Sequence, residues 1–322
     1  MPKIMSGEKL SWGIPAVIGG LFLLVFPLFA GSFYGHIFIL IFLNITLVLG
    51  YRLLYVTGLV SFAHIAFYAI GAYTSALLAI KLGLPFGISF LAGGLVAAIM
   101  AAVIIWIGGR LRGPYFFLFS FAFLGVMDSI FSKWRDMTGG YNGVKGIPSI
   151  MGLEGVMPYY YIILAFAVLT IFIMYRLDRS RFGVELMAIG DADDLAEVTG
   201  ISVVRHRALA FAIGALFAGF AGSLYAHYSG FIAPANFTIW FTVYILIWCV
   251  VGGPRKLWGP IVGAVVMTLI AEFLRMSGTM QAILYGVVLL TVLMAMPYGI
   301  VGLVDSLRIR SGKRRRPVEA SD

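Results

Sequence analysis

The sequence predicts an all-α protein that crosses a membrane about ten times. Hydrophobic residues make up 61% of the 322 residues and charged residues 11%, and the mean hydropathy is +1.00. A soluble globular domain needs a polar surface, so these values exclude that class. A helix satisfies its backbone polar groups internally and needs roughly 20 apolar residues to cross a hydrocarbon layer of about 30 Å. Alternating strands of the barrel type are absent from the sequence, so the spans are predicted to be helices.

Ten apolar segments are candidate spans, at residues 12–29, 37–50, 61–80, 88–108, 113–131, 157–175, 208–228, 239–251, 259–274 and 280–297. The first has no small-residue cleavage site, so we expect a retained span rather than a removed signal. The second and the eighth are short for a crossing. Glycines lie beside both segments: Gly50 and Gly58 at the second, and Gly252 and Gly253 at the eighth. These two helices are therefore expected either to break and line a cavity or to borrow flanking residues. We therefore expect eight to ten spans.

The basic residues predict the orientation of the chain. With a cytoplasmic N-terminus, 18 of the 23 lysines and arginines fall in inside segments and 5 in outside segments. Because cytoplasmic loops carry the excess of positive charge, both termini are predicted to be cytoplasmic. One transmembrane domain, 1–322, would then carry a polar cytoplasmic segment at 176–207 and a basic tail at 308–322. The net charge of +9 follows mostly from these cytoplasmic basic residues, and the basic tail is expected to contact anionic lipid headgroups. The charge therefore does not require a nucleic-acid partner.

The segment 176–207 is the longest polar interruption in the chain, and it predicts a docking helix. Asp191 is suited to start the helix, and Gly200 is suited to stop it. Leu195 and Val198 are three residues apart, so they would form a small apolar knob on one face, with acidic residues beside it. The alternative interpretation is a solvated connecting loop.

The sequence lacks the common motifs for nucleotide binding, metal binding and hydrolysis. The sequence contains no GxxxxGK[ST] loop, no HExxH, no paired cysteine motif and no GxSxG, which argues against a nucleotide site, a metal site or a hydrolase centre in this chain. Only two acids fall within predicted spans, Asp128 and Glu272, both towards the outer ends. A proton-driven carrier usually has such acids in the middle of its spans, so this class is disfavoured, whereas sodium coupling through carbonyls and hydroxyls stays open.

Polar but uncharged residues cluster in the second and third spans and predict a lining for a small, mostly apolar solute. Each of them could equally form a hydrogen bond between helices. His64 is the most informative, because an imidazole in lipid needs a partner or a water-filled cavity. The candidate translocation residues are Asn44, Thr46, Ser61, His64, Tyr73 and Thr74.

Six stretches resemble permease subunits of branched-chain amino-acid ABC importers, and in particular the M-type subunit of leucine, isoleucine and valine systems. They agree with that family in order and spacing, so the resemblance covers nearly the whole chain. The stretches are GLVSFAHIAFYAIGAYTSALL (58–78), LRGPYFFLFSFAF (111–123), TGGYNGVKGIP (138–148), SRFGVELMAIGDADDLAEVTGI (180–201), AFAIGALFAGFAGSLYAHYSGFIAP (210–234) and VVGGPRKLWGPIVGA (250–264).

The resemblance implies an importer in a prokaryotic cytoplasmic membrane. Its other parts would be a second permease subunit, two ATP-binding cassette subunits that hydrolyse the ATP, and an extracytoplasmic solute-binding protein. This chain would then bind no cofactor and would be a transport subunit rather than an enzyme. The family's coupling helix maps onto the segment before Gly200, which assigns ATPase coupling to Asp191, Asp194, Leu195, Glu197, Val198 and Gly200.

The sequence departs from the family pattern at two positions. Ala63 replaces the usual glycine before His64, and Tyr298 stands where an arginine is common. Related permeases move urea or short amides, so the resemblance favours branched-chain amino acids and leaves a urea or amide permease open. A self-sufficient ion-coupled carrier is the remaining alternative. A membrane-embedded enzyme would need a carboxylate or histidine cluster, which the sequence lacks.

Overall fold

The apolar runs of the sequence form helices, and several helices extend beyond the runs. The computed structural model describes residues 31–109, 111, 113–275 and 280–295, together with Leu23. Within these residues, eight helical segments are long and apolar enough to cross a membrane, which confirms the predicted class of all-α polytopic membrane protein. Apart from Leu23, the predicted first span at 12–29 lies outside the described residues, as do the basic tail at 308–322 and Tyr298.

The described helices follow one another through short connections. They are α1 (Ser32–Tyr55), α2 (His64–Leu82), α3 (Phe86–Gly108), α4 (Pro114–Lys133), α5 (Arg135–Thr138), α6 (Val156–Asp178), α7 (Arg181–Asp191), α8 (Asp193–Val198), α9 (Val203–Ser229), α10 (Ile239–Gly252), α11 (Trp258–Arg275) and α12 (Gln281–Ala295). Two short strands, β1 (Val144–Lys145) and β2 (Phe231–Ile232), pair antiparallel. Single 3₁₀ turns form at Gly140–Asn142, Ile150–Gly152 and Pro234–Phe237.

The bundle has two ends that differ in character. The hairpin end carries the β1–β2 pair, and the α7–α8 end carries the two short helices between α6 and α9. Both α6 and α9 run the full distance between these ends. Since the spans alternate in direction, the connections after α1, α3, α6 and α10 all lie at the α7–α8 end. These are the connections that the excess of lysine and arginine predicts to be cytoplasmic.

Of the two alternatives for the second segment, the structure has a helix that borrows flanking residues and does not break at Gly50. The helix α1 has 24 residues and passes straight through Gly50, so it is about 36 Å long. The apolar run stops at Arg52, but the helix continues because the guanidinium of Arg52 is satisfied inside the protein. The short eighth segment does remain short: α10 has 14 residues, is preceded by the turn Pro234–Phe237 and ends before Gly253, whose φ is +96°.

A seam of glycines brings the helix backbones of α2 and α9 into contact. A Cβ atom added at Gly71 would overlap the carbonyl of Gly219, and one added at Gly222 would overlap the carbonyl of Tyr68. The Ser223 hydroxyl donates a hydrogen bond across the seam to the Gly71 carbonyl over 3.1 Å. Close backbone approach of this kind is how helices associate in lipid, where burial of apolar surface provides little drive. The seam therefore fixes α9 at the centre of the bundle, where it also packs on α1 and α3.

Candidate functional site

The polar segment at 176–207 folds into two helices instead of one. The Ser180 hydroxyl caps α7 by accepting a hydrogen bond from the Gly183 amide, and α7 buries the face that contains Gly183, Leu186 and Ile189. Extended backbone at Ala192, with φ of −162°, then separates α7 from α8. Asp191 is therefore the last residue of α7 and does not start the docking helix as predicted. The sequence pattern was misleading because the buried face of α7 supports a helix that continues up to this aspartate.

Gly200 ends α8 as the sequence predicts. Its φ is +87°, a conformation that glycine adopts without steric penalty. The Gly200 amide donates to the Glu197 carbonyl and the Ile201 amide donates to the Ala196 carbonyl, both over 3.0 Å. This pair of bonds is the Schellman arrangement, which satisfies the last carbonyls of a helix. The turn points Ile201 back onto the small apolar cluster of Ile189, Ala196 and Val203.

The opposite side of α8 is an exposed apolar surface. Leu195 is 68% exposed and Val198 is 86% exposed, whereas Ala196 between them is buried. Asp193 and Asp194 lie in the first turn of α8, where negative charge is favoured by the helix dipole. We use the term α8 surface for the exposed side chains of this region that carry the predicted coupling role: Asp191, Asp194, Leu195, Glu197 and Val198.

Arg207 ties the start of α8 to the bundle. Its guanidinium is 5% exposed and donates to the Asp193 carboxylate over 2.9 Å and to the Thr57 carbonyl over 2.9 Å. Gly190 lies so close to the connection between α1 and α2 that an added Cβ would overlap the Val56 carbonyl. The α8 surface is thus held at two points to the irregular segment 56–63, which leads directly into α2.

Arg52 forms a second set of contacts that holds the α7–α8 end of the bundle together. It is 1% exposed, and its guanidinium donates to the Asp178 carboxylate over 2.7 Å and to the carbonyls of Pro254 and Arg255 over 2.6 and 3.2 Å. These contacts join α1 to the end of α6 and to the connection between α10 and α11. Sequence reasoning treated this arginine only as a topology signal, although its position at the edge of an apolar run was a clue to burial with a partner.

The six candidate translocation residues lie at separate places. Asn44 on α1 donates to Thr268 on α11 over 3.0 Å. Thr46 donates to the Phe42 carbonyl of its own helix. Asn44 therefore makes the hydrogen bond between helices that was the alternative interpretation, whereas Thr46 bonds within its own helix.

Ser61 and His64 lie together where the segment 56–63 enters α2. The His64 Nε2 donates to the Leu47 carbonyl over 3.0 Å, and its ring contacts Tyr51 edge-on at a centroid distance of 5.5 Å. The Ser61 hydroxyl accepts from the Ala63 amide. These buried residues therefore couple the unwound connection to α1.

Tyr73 is further along α2, stacked on Phe131 of α4 at a centroid distance of 4.5 Å. Its ring is 2% exposed, and its buried hydroxyl has no hydrogen-bond partner. Its neighbour Thr74 is half-buried. The described residues therefore do not gather the six candidates around one cavity.

A cleft of about 730 Å³ opens at the hairpin end between α1, α6 and α9. His36 Nδ1 lies 2.6 Å from the Tyr228 hydroxyl. The Tyr159 hydroxyl accepts from the Ile150 amide and donates to the His227 carbonyl, each over 3.0 Å. These bonds attach the segment before α6 to the end of α9. Among the histidines, sequence reasoning singled out only His64, and it gave no signal for this cleft.

Comparison with known proteins identifies relatives along nearly the whole chain. The family described as "Branched-chain amino acid transport system / permease component" matches residues 16–296. The high-affinity branched-chain amino acid transport system permease protein LivM of Salmonella typhimurium is 28% identical, with 87% of this chain and 71% of the relative covered. LivM of Escherichia coli is 28% identical, with 86% and 70% covered. The permease protein LivH of Escherichia coli is also 28% identical, with 85% and 94% covered. No solved structure matches the chain.

Proposed function

The chain belongs to the family of branched-chain amino acid transport permeases, and we propose that it forms the membrane path of an ATP-driven importer for leucine, isoleucine and valine. Its location would be the cytoplasmic membrane of a prokaryote, with the α7–α8 end in the cytoplasm. The excess of basic residues in the segments of that end supports this orientation. Related permeases that carry urea or short amides define the alternative solute class.

The observation that carries the proposal is the exposed α8 surface on a firmly held helix. Leu195 and Val198 present apolar side chains at 68% and 86% exposure, outside every segment that is long enough to cross a membrane. Exposed apolar residues surrounded by acids are typical of a protein contact. A cytoplasmic ATPase subunit with a complementary groove would bury them.

The assembly would contain three kinds of partner protein in addition to the lipid bilayer. This sequence has no phosphate-binding loop, so two ATP-binding cassette subunits would bind and hydrolyse the ATP. A second permease would complete the path, and an extracytoplasmic solute-binding protein would deliver the solute to the hairpin end. This chain itself would use no cofactor.

Movement would pass from α8 into the bundle through Arg207. When the two ATPases close on ATP, the subunit that contacts this chain would shift its α8 surface. Asp193 and the Thr57 carbonyl share the Arg207 guanidinium, so a shift of α8 would pull the segment 56–63. That segment positions Ser61 and His64 at the start of α2, where a rearrangement of the unwound backbone would change access to the path.

The experiment that tests this function is isolation of the assembly with paired variants. The double variant Leu195→Ala, Val198→Ala should lose the ATPase subunits on purification and lose ATP-dependent leucine uptake in proteoliposomes, while the chain still folds. Val168→Ala, Leu169→Ala is the matched control, because this valine and leucine are 56% and 51% exposed on the membrane-spanning α6. Unchanged uptake by the α8 double variant would contradict the coupling role.

The same preparation distinguishes an ion-coupled carrier from an importer. The purified chain alone should move no leucine in vesicles that have only a sodium or proton gradient. Uptake by the chain alone under these conditions would favour a self-sufficient carrier. Uptake of labelled urea by the complete assembly, without uptake of leucine, would favour the amide-permease alternative.

A further inference from the structure

The cleft at the hairpin end contains a hydrogen-bond donor that the protein itself does not use. His36 on α1 and Tyr228 on α9 both line the cleft, and the His36 Nδ1 lies 2.6 Å from the Tyr228 hydroxyl. A neutral imidazole carries one N–H, and a tyrosine carries one O–H. Only one of these two protons can lie between Nδ1 and the hydroxyl oxygen, so the other stays free on Nε2 or on the tyrosine. Among the described residues, neither side chain makes a second hydrogen bond.

This donor lies near the hairpin-end limit of two membrane-spanning helices. His36 is the fifth residue of α1, about 6 Å along the axis from the first, and Tyr228 is the second-last residue of α9. The two rings are stacked at a centroid distance of 5.7 Å, and both side chains are half-buried. A solute that enters from the hairpin end can therefore reach them. A partly desolvated donor also binds an acceptor more strongly than the same donor does in water.

The wall beside this donor is held in place by buried hydrogen bonds. The His227 Nδ1 lies 2.8 Å from the Pro148 carbonyl, which can only accept, so Nδ1 carries the proton and donates it. The His227 Nε2 then accepts from the Ser75 hydroxyl over 2.9 Å. The Tyr159 ring, which is fixed through its own hydroxyl, lies at a centroid distance of 5.4 Å from Tyr228. A site that is already ordered loses less entropy when a ligand binds.

The rest of the cleft offers apolar surface and no acidic side chain. Leu40 lies four residues after His36, so both side chains are on one face of α1. Leu153 and Val156 add apolar side chains from the segment that enters α6. A Cβ added at Gly35 would come within 3.0 Å of the Val156 Cγ1, so α1 and α6 are close together here. None of the described residues that line the cleft is an aspartate or a glutamate, so a carboxylate would meet no like charge.

We propose that this cleft is an entry subsite for a branched-chain amino acid, in which the free donor of the His36–Tyr228 pair binds the carboxylate of the solute. The apolar side chain of the solute would pack on Leu40 and Val156, and its ammonium group would stay in water at the mouth. The cleft volume of about 730 Å³ is within the usual range of about 300–1,000 Å³ for small-molecule sites. The inference rests on the proposed function and makes it more specific, because urea has neither a carboxylate nor an apolar side chain.

The first test is uptake of labelled leucine by the complete importer in proteoliposomes, with its solute-binding protein at saturation. The double variant His36→Phe, Tyr228→Phe keeps two rings but removes every donor of the pair, so uptake should fall by about tenfold or more. Each single variant keeps one donor and should lose less uptake than the double variant. Tyr141→Phe is the matched control, because this tyrosine is 77% exposed at the same end and does not line the cleft; uptake should stay within about twofold. Wild-type uptake by the assembled double variant would overturn the subsite.

Thiol labelling tests the same subsite if the double variant fails to assemble. The one cysteine of the chain, Cys249, is buried, whereas Ser149 is exposed and lines the cleft, so Ser149→Cys provides a reactive thiol there. Leucine without binding protein should slow its reaction with a maleimide by about threefold once leucine exceeds about twice its Kd, because the empty fraction falls as 1/(1 + [L]/Kd). Urea should not protect this thiol, and leucine should not protect Tyr141→Cys. Equal labelling with and without leucine, or protection by the empty binding protein alone, would overturn the subsite.

Failure of the subsite and failure of the proposed function give different results. If the wild-type importer moves leucine and the double variant does so equally well, the subsite is wrong and the importer function stands. If the wild-type importer moves urea and not leucine, the proposed solute is wrong irrespective of the cleft.

Discussion

Replacement of Arg52 by methionine should strongly destabilise the protein. Methionine retains an apolar stem of similar length but removes all three donated hydrogen bonds. The Asp178 carboxylate, only 20% exposed, would then be left without its partner, and two carbonyls would lose their donor. Breaking a buried ion pair on one side lowers the free energy of unfolding by about 3–5 kcal/mol. We expect a loss of that size, because Arg52 itself is 1% exposed and solvent cannot replace its contacts.

The free energy of unfolding is measured by adding a denaturing detergent to the protein in mixed micelles and monitoring the reversible loss of helix by circular dichroism. The matched control is Arg255→Met, because Arg255 pairs with Asp191 at the surface with 89% and 67% of the side chains exposed; this change should alter the free energy of unfolding by about 0.5 kcal/mol or less. A double-mutant cycle of Arg52→Met with Asp178→Asn should give a coupling energy of about 1.5–3 kcal/mol. If Arg52→Met lies within about 0.5 kcal/mol of wild type, the reasoning about this joint is refuted.

Three further changes test other parts of the structure. Gly190→Ala should lower the free energy of unfolding by about 1–3 kcal/mol through overlap with the Val56 carbonyl, whereas Gly87→Ala, which meets open space, should be near neutral in the same detergent titration. Gly200→Ala forces a side chain into a φ of +87°, so it should destabilise the end of α8 by about 1–2 kcal/mol and weaken binding of the ATPase subunits, measured by co-purification. A double-mutant cycle of Asn44→Leu with Thr268→Val should give a coupling energy of about 0.6 kcal/mol, the average for hydrogen bonds between membrane helices. A coupling energy near zero would show that this 3.0 Å hydrogen bond does not stabilise the packing of α1 on α11.

The spans and the end of α8 could be predicted because local physics determines them. Apolar length fixes which segments cross a membrane, and a positive φ fixes the need for glycine at position 200. The length of α1 could not be predicted in this way. It depends on Asp178, which is 126 residues away in sequence and makes the burial of Arg52 possible.

The candidate site was harder to predict than the spans, for the same reason. Leu195 and Val198 are exposed as expected, since three-residue spacing places them on one face of a helix. Asn44 and Thr46 were predicted to line the path, but polarity within a span does not reveal the hydrogen-bond partner that each has in the bundle.

The glycine seam between α2 and α9 divides the molecule into a stiff part and a movable part. Two helices whose backbones touch have no side chains between them that could change rotamer, so Gly71, Gly219 and Gly222 leave no room for sliding. Any opening of the path must therefore come from helices that lie outside this unit. The helix α4 has few contacts with its described neighbours and exposes most of its length. We expect α4 to move relative to the packed pair of α2 and α9 during each transport cycle.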